Sequence, residues 1–293
     1  MNWRFWRRKR VELSEAQRAA LKRLVAEAKY ELIPLKDVLA RAEALPAGAA
    51  VTVTASPSHG IEATFDLAEA LAARGHDVTP HLSAHMIRDR AHLGELLARA
   101  RAAGITKAFV VGGDAKDRGS ELHDGVQLLR AIDESGHPFT EIGVPSYPEG
   151  HPDIPDEVLL AALREKQRYA HAMTTQMCFD PAAVAAWLAR MRAGGITLPL
   201  HLGIPGVAEL TKLMTISARI GVADSARYLK KNKKMVGHLM TRGSFGPDAF
   251  LEGLAPTLAD PIADVRALHV FTFNQIADTA AWQRAMLGGE LDA

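Results

Sequence analysis

The sequence predicts an α/β fold, a single (β/α)8 TIM barrel. Three observations predict it. Short β-branched runs alternate with longer Ala- and Leu-rich amphipathic runs, the pattern of a parallel barrel rather than of hairpins. Eight strand candidates can be marked off. Several helical runs end in glycine, as at Arg74-Gly75, Ala103-Gly104 and Gly194-Gly195, which suits a helix C-cap. The length of 293 residues is ordinary for one such barrel.

In chain order the expected strands are 29–34, 51–55, 78–82, 107–111, 141–145, 172–178, 198–203 and 267–273. Helices are expected at 61–73, 91–103, 121–132, 155–170, 181–193 and 207–220, with one more, 14–28, before the first strand. Asp180-Pro181 and Ile154-Pro155 place proline near helix starts, where its missing N–H costs nothing. Residues 223–257 lack clear strand character and read as helices plus loop inserted before the last strand. Two regions follow: a basic arm and helix over 1–28, and a barrel catalytic domain over 29–293.

Composition narrows the function. Hydrophobic residues make up 48% and charged residues 24%, with a formal net charge of +1. That balance excludes the basic stripe of a nucleic-acid binder. No apolar run reaches the ~20 residues of a membrane span. Cys178 is the only cysteine, so no internal disulfide can form and a reducing, cytoplasmic location is expected. The segment Met1–Arg10 is basic and aromatic without the apolar stretch of a secretory signal. It reads as a frayed arm, or as a lid for an anionic ligand.

Barrel enzymes build their sites at the C-terminal ends of the strands. Polar residues gather there: Glu31, His59, His81 with His85, Gly112-Gly113-Asp114, Tyr147 through His151, Gln176, His201, and Phe273-Asn274. Glu31 in an apolar strand needs a partner or a proton, so a structural lysine or histidine partner is one reading and an acid catalyst the other. Gly112-Gly113-Asp114 could be only a turn with a helix cap; it is not a phosphate-binding P-loop. His81 and His201 lack a third ligand of obvious type, so no metal site is expected and satisfied core histidines are the simpler reading. Lys230–Lys234 reads as a solvated face or as an attraction for phosphates. Cys178 looks like core. Trp187 and Trp282 fall in expected helices as packing residues.

Taken in order, these segments resemble methylenetetrahydrofolate reductase in its compact catalytic barrel. Tyr30-Glu31-Leu32-Ile33-Pro34 is similar to the family's Phe-Glu-Phe-Phe-Pro, and Pro80-His81-Leu82 matches Pro-His-Leu. Gly113-Asp114 matches Gly-Asp, and Tyr147-Pro148-Glu149-Gly150-His151-Pro152 resembles Tyr-Pro-Glu-x-His-Pro. Thr175-Gln176 with Phe179-Asp180 matches Thr-Gln…Phe-Asp, and residues 268–274 resemble Phe-His-Phe-Tyr-Thr-Leu-Asn. The likeness covers most of residues 29–289.

The resemblance implies reduction of a methylene-bearing reduced folate by hydride from NADH or NADPH. It makes Glu31 the general acid that opens the substrate's five-membered ring. Asp114 accepts from the pterin edge and favours the cationic intermediate. Gln176, Tyr147, His81 and Phe273 complete the folate pocket. Gly112, Gly113, His123, His151 and Lys166 fall at cofactor positions. Departures from the family pattern cluster on its flavin contacts: Gly112 stands where an arginine is usual, His123-Asp124 replaces a Tyr-Ala pair, and Leu210 falls near a stacking aromatic. The resemblance is therefore to a short branch working without bound FAD, with both small-molecule substrates present together. A monomer or small homo-oligomer is expected.

Overall fold

The computed structural model describes residues 12–113, 120–209, 244–245 and 247–288. Eight parallel strands close into a barrel: β1 (Lys29–Leu32), β2 (Ala50–Val53), β3 (Asp77–Ser83), β4 (Lys107–Val111), β5 (Glu141–Ser146), β6 (Ala172–Thr175), β7 (Leu200–Pro205) and β10 (Val265–Phe271). Around the barrel the order is β1-β10-β7-β6-β5-β4-β3-β2, so the last strand seals the seam against the first. All eight expected strands are present. Among the described residues the helices are α1 (Glu15–Ala26), the short α2 (Val38–Arg41), α3 (Gly60–Ala72), α4 (Arg90–Ala102), α5 (Gly125–Ser135), α6 (Asp156–Lys166), α7 (Pro181–Ala193), α8 (Asp248–Ala259) and α9 (Ile276–Leu287).

Alternation along each strand divides its side chains between the helical shell and the barrel interior. On β1, Tyr30 and Leu32 are fully covered, and the Tyr30 hydroxyl donates to Gln283 on α9. The Gln283 amide in turn donates to the Val25 carbonyl on α1, at 2.8 Å, so one buried glutamine ties three elements together. The alternate residues, Lys29 and Glu31, reach across to Glu141 and His269. Helix α1 starts with a capping box: Ser14 and Gln17 satisfy each other's backbone N–H groups.

Four expectations need correction. The run 207–220 does not open as a helix: Ala208–Glu209 forms a short strand, β8, antiparallel to Ser244–Phe245, β9. The rest of that run lies outside the described residues. Within the region expected to lack strands, β9 precedes α8. Strand β6 stops at Thr175 rather than Cys178, where Gln176 turns its N–H to the Ser146 carbonyl. Helix α5 begins at Gly125 rather than 121, because the Asp124 carboxylate accepts from Val126 and Gln127 N–H and caps it there. Among the described residues no helix is long and apolar enough to cross a membrane.

Candidate active site

Glu31 lies near the C-terminal end of β1. Its Oε2 stands 2.8 Å from His269 Nε2 on the neighbouring β10. The Glu31 side chain is 14% exposed and that of His269 is 3% exposed. The Glu31 carbonyl accepts from Thr272 Oγ1 at 2.6 Å. Above it, the Asn274 side chain accepts from Ile33 N–H and donates to Ile33 carbonyl, both at 2.9 Å, imitating one more sheet residue across the seam. Phe273 and Asn274 both take left-handed backbone, φ 49° and 59°. For a bulky aromatic residue that conformation is strained, and such strain tends to persist where it positions a functional side chain.

His81 on β3 completes the cluster. Its ring lies 4.7 Å from Phe109 and within electrostatic reach of Glu31 and His269. It is a core histidine, but not a satisfied one: its buried Nε2 has no hydrogen-bond partner among the described residues. Thr52 Oγ1 on β2, in register with Glu31, is likewise buried and without a partner among the described residues. Buried polar atoms usually find partners, so two orphans beside a carboxylate mark a place for a polar ligand or water.

Beneath lies a charged floor where most barrels have branched aliphatics. Lys29 Nζ meets Glu141 Oε1 at 2.7 Å, and Lys107 Nζ meets Asp77 at 2.6 Å and Glu141 at 3.7 Å. Burial opposes ionisation of Glu141, but the Lys29 and Lys107 charges outweigh it and hold the carboxyl below the usual range. His201 stands among them. Burial, aided by the Lys29 charge, lowers it to about 3, and burial lowers His81 to about 4.

Both histidines are therefore neutral in the folded chain at neutral pH. Below the ordinary value of 6.5 the unfolded chain binds two protons that the native state refuses, so this share of stability is complete above that pH. It is lost as pH falls toward 4. Urea midpoints taken at several values between about pH 7 and pH 4 should fall with acid, and His81→Gln should flatten the slope. An unchanged slope would mean that His81 is not a buried neutral base.

The other sequence candidates form a second group. Gly113 has φ +100°, and a Cβ there would lie 2.1 Å from Ser83 Oγ, so only glycine permits this approach of β4's end to β3. His85 Nε2 lies 2.8 Å from the His123 carbonyl oxygen. A Cβ added at Gly125 would sit 3.4 Å from both Gly112 N and Lys166 Cε, so Gly112 and Lys166 converge on the start of α5. Burial lowers the Lys166 ammonium, against the opposing pull of Asp124. Tyr147 and His151 meet edge to face at 5.2 Å. Tyr147 also lines a cavity of ≈ 230 Å³ between α6, α7 and the end of β5, with Ser146, Leu163, Lys166 and Trp187. Tyr147 thus groups with the cofactor candidates.

Gln176 stands at the end of β6. Its Oε1 accepts from Met177 N–H at 2.9 Å, which leaves its amide N–H groups without a partner among the described residues. Cys178 is fully buried with its thiol 3.4 Å from Glu149 Oε1, core as expected. Asp114, Leu210, Lys230–Lys234 and Met1–Arg10 lie outside the described residues. Among the described residues no cluster of three metal-ligating side chains occurs. Sequence reasoning missed Thr52 and His269 as parts of the site. The alternation of β1 and β10 carried the signal for His269, since His269 stands in register with Lys29, on the same inward-facing alternation as Glu31 two residues on.

A sequence model of the family described as "Methylenetetrahydrofolate reductase" matches residues 31–281. Among solved structures the chain is similar to a protein described as a lyase/mutase from Burkholderia cenocepacia J2315, at 16% identity. The match covers 94% of this chain and 86% of that one, with a TM-score of 0.45. It is also similar to one described as a phosphonomutase from the same organism, at 16% identity, covering 78% and 100% of the two chains with a TM-score of 0.41. Likenesses this distant carry no weight for the chemistry.

Proposed function

Since the chain belongs to the methylenetetrahydrofolate reductase family, and is an enzyme of that type, we propose that it reduces 5,10-methylenetetrahydrofolate to 5-methyltetrahydrofolate, taking hydride directly from NADH or NADPH. The observation that carries this reading is Glu31, held by His269 in the barrel lumen beside polar atoms of His81 and Thr52 that have no partner among the described residues.

The folate's one-carbon unit sits in an aminal ring that accepts no hydride until it opens. Protonated Glu31 delivers its proton to N10. The C–N10 bond breaks, and the methylene carbon becomes an iminium on N5. Hydride from nicotinamide C4 then adds to that carbon, giving the methyl group and oxidised nicotinamide. One hydride and one proton enter, and Glu31 is left as carboxylate. Asp114 accepts from the pterin's amino and ring N–H groups, and its charge favours the iminium. Gln176 offers its unpartnered amide N–H groups to the pterin's carbonyl edge. Phe273 and His81 are proposed to bound the folate pocket, with Tyr147 on the cofactor side.

Hydride can pass directly only if both substrates are bound together, with the reacting carbons about 3–3.5 Å apart. Two features support a site without flavin. The Asp124 carboxylate already takes the N–H groups at the start of α5 that an anion would use. Gly112 offers no charge, and the Lys166 ammonium is offset by Asp124. The start of α5 therefore offers no cradle for a buried diphosphate such as a tightly held flavin needs. The nicotinamide half of the dinucleotide is proposed to lie along Gly112, Gly113, His123, His151 and Lys166, over the pterin, with its diphosphate left outside the start of α5. The test is NADH or NADPH oxidation by purified protein, with no flavin added. The reading expects oxidation that depends on methylenetetrahydrofolate and yields the methyl product; folate-independent oxidation, or none with either nicotinamide, contradicts it.

A further inference from the structure

We propose that His269 is the positioning residue of the general acid: its Nε2–H donates to Glu31 Oε2, which reserves Oε1 for the proton that goes to substrate. The proposal deepens the reductase reading and rests on it.

The geometry fixes both partners. The His269 ring lies near-parallel to Phe109, at 28° and 6.4 Å, and edge to face with Phe271 at 4.9 Å. Phe109 is itself seated over Gly143, where a Cβ would come within 2.8 Å of its ring, and against His81. The imidazole cannot swing without displacing these rings, so Nε2 stays aimed at Oε2. On the other side, Thr272 Oγ1 holds the Glu31 backbone carbonyl at 2.6 Å. Glu31 is thus gripped at its backbone and at one carboxyl oxygen. Among the described residues nothing bonds Oε1.

That arrangement serves an acid in two ways. It selects which oxygen faces the substrate. It also receives the carboxylate formed when the proton leaves, because the hydrogen bond to Oε2 strengthens as charge develops there. His269 touches Glu31 and need not touch the folate.

The test compares two polar replacements of similar packing. His269→Gln can place an amide N–H where Nε2 was; His269→Asn is too short to reach Oε2. His269→Asn should lower kcat by about tenfold or more, with the folate KM within a few fold. Its alkaline limb of kcat should move to higher pH, since losing a hydrogen bond donated to the carboxylate makes Glu31 harder to deprotonate. His269→Gln should recover most of the rate and return the limb toward wild type. Equal rates and equal limbs for the two variants, with both folded by circular dichroism, would overturn the proposal and leave His269 a packing residue. Glu31→Gln, assayed beside them, separates the failures. If it is inactive while His269→Asn is normal, only the positioning role falls. If it is fully active, the general-acid reading falls with it.

Discussion

Glu31→Gln should lower kcat by ~100-fold or more, the range lost with a removed general acid. Glutamine keeps the shape of glutamate and can still accept from His269, so the 2.8 Å contact and the packing around it survive. What it cannot do is supply an acidic proton to N10. Folate affinity, by titration calorimetry, should stay within a few fold, and the melting temperature should hardly move. The split matters because Glu31 also has a structural explanation: a buried carboxylate with a histidine partner needs no catalytic role. A purely structural Glu31 predicts the reverse pattern, stability lost and turnover kept. A variant within about threefold of the wild-type rate would place the acid elsewhere.

Gly203→Ala should be among the most destabilising single substitutions in the barrel, at about 1–3 kcal/mol or beyond. Gly203 lies in the middle of β7, and an added Cβ would sit 2.2 Å from the Thr175 carbonyl oxygen and 2.9 Å from Phe271 Cε2. The carbonyl belongs to β6, whose Thr175 Oγ1 already accepts from Gly203 N–H at 2.8 Å, so the strand has little freedom to retreat. Phe271 is the ring beside His269, so relief on that side disturbs the site. Gly94→Ala is the contrast. It lies in α4 with nothing within 4 Å of its Cβ, and should gain about 0.5–1 kcal/mol from helix propensity. Denaturant midpoints for the pair should move in opposite directions. Equal stability of Gly203→Ala and wild type would contradict this close approach of β6 and β7.

Much of this frame was legible in the chain. The β/α alternation marks all eight barrel strands, and Asp180-Pro181 marks the start of α7, because local pattern and local capping carry that information. Glu31 stood out because a charge in an apolar strand demands a reason. Its partner was harder to see: β1 and β10 meet only when the barrel closes, 238 residues apart. The charged floor was hidden for the same reason. Lys29, Glu141 and Lys107 look like surface residues at strand starts, and only closure turns them inward to face one another. The strain at Phe273 depends on the seam that Asn274 stitches, again a tertiary fact. Asp124 carried a local signal that was misread. Its spacing to Val126 and Gln127 is that of a helix cap, and this moved the start of α5.

The measurement that tests the central claim most directly is steady-state kinetics with nicotinamide and methylenetetrahydrofolate both varied, on protein freed of added flavin. Direct transfer needs both substrates bound at once, so double-reciprocal lines should intersect and added FAD should not raise the rate. Parallel lines, or NADH oxidation that appears only when flavin is supplied, would mean that a bound carrier stores the hydride between the two substrates, and would contradict the account.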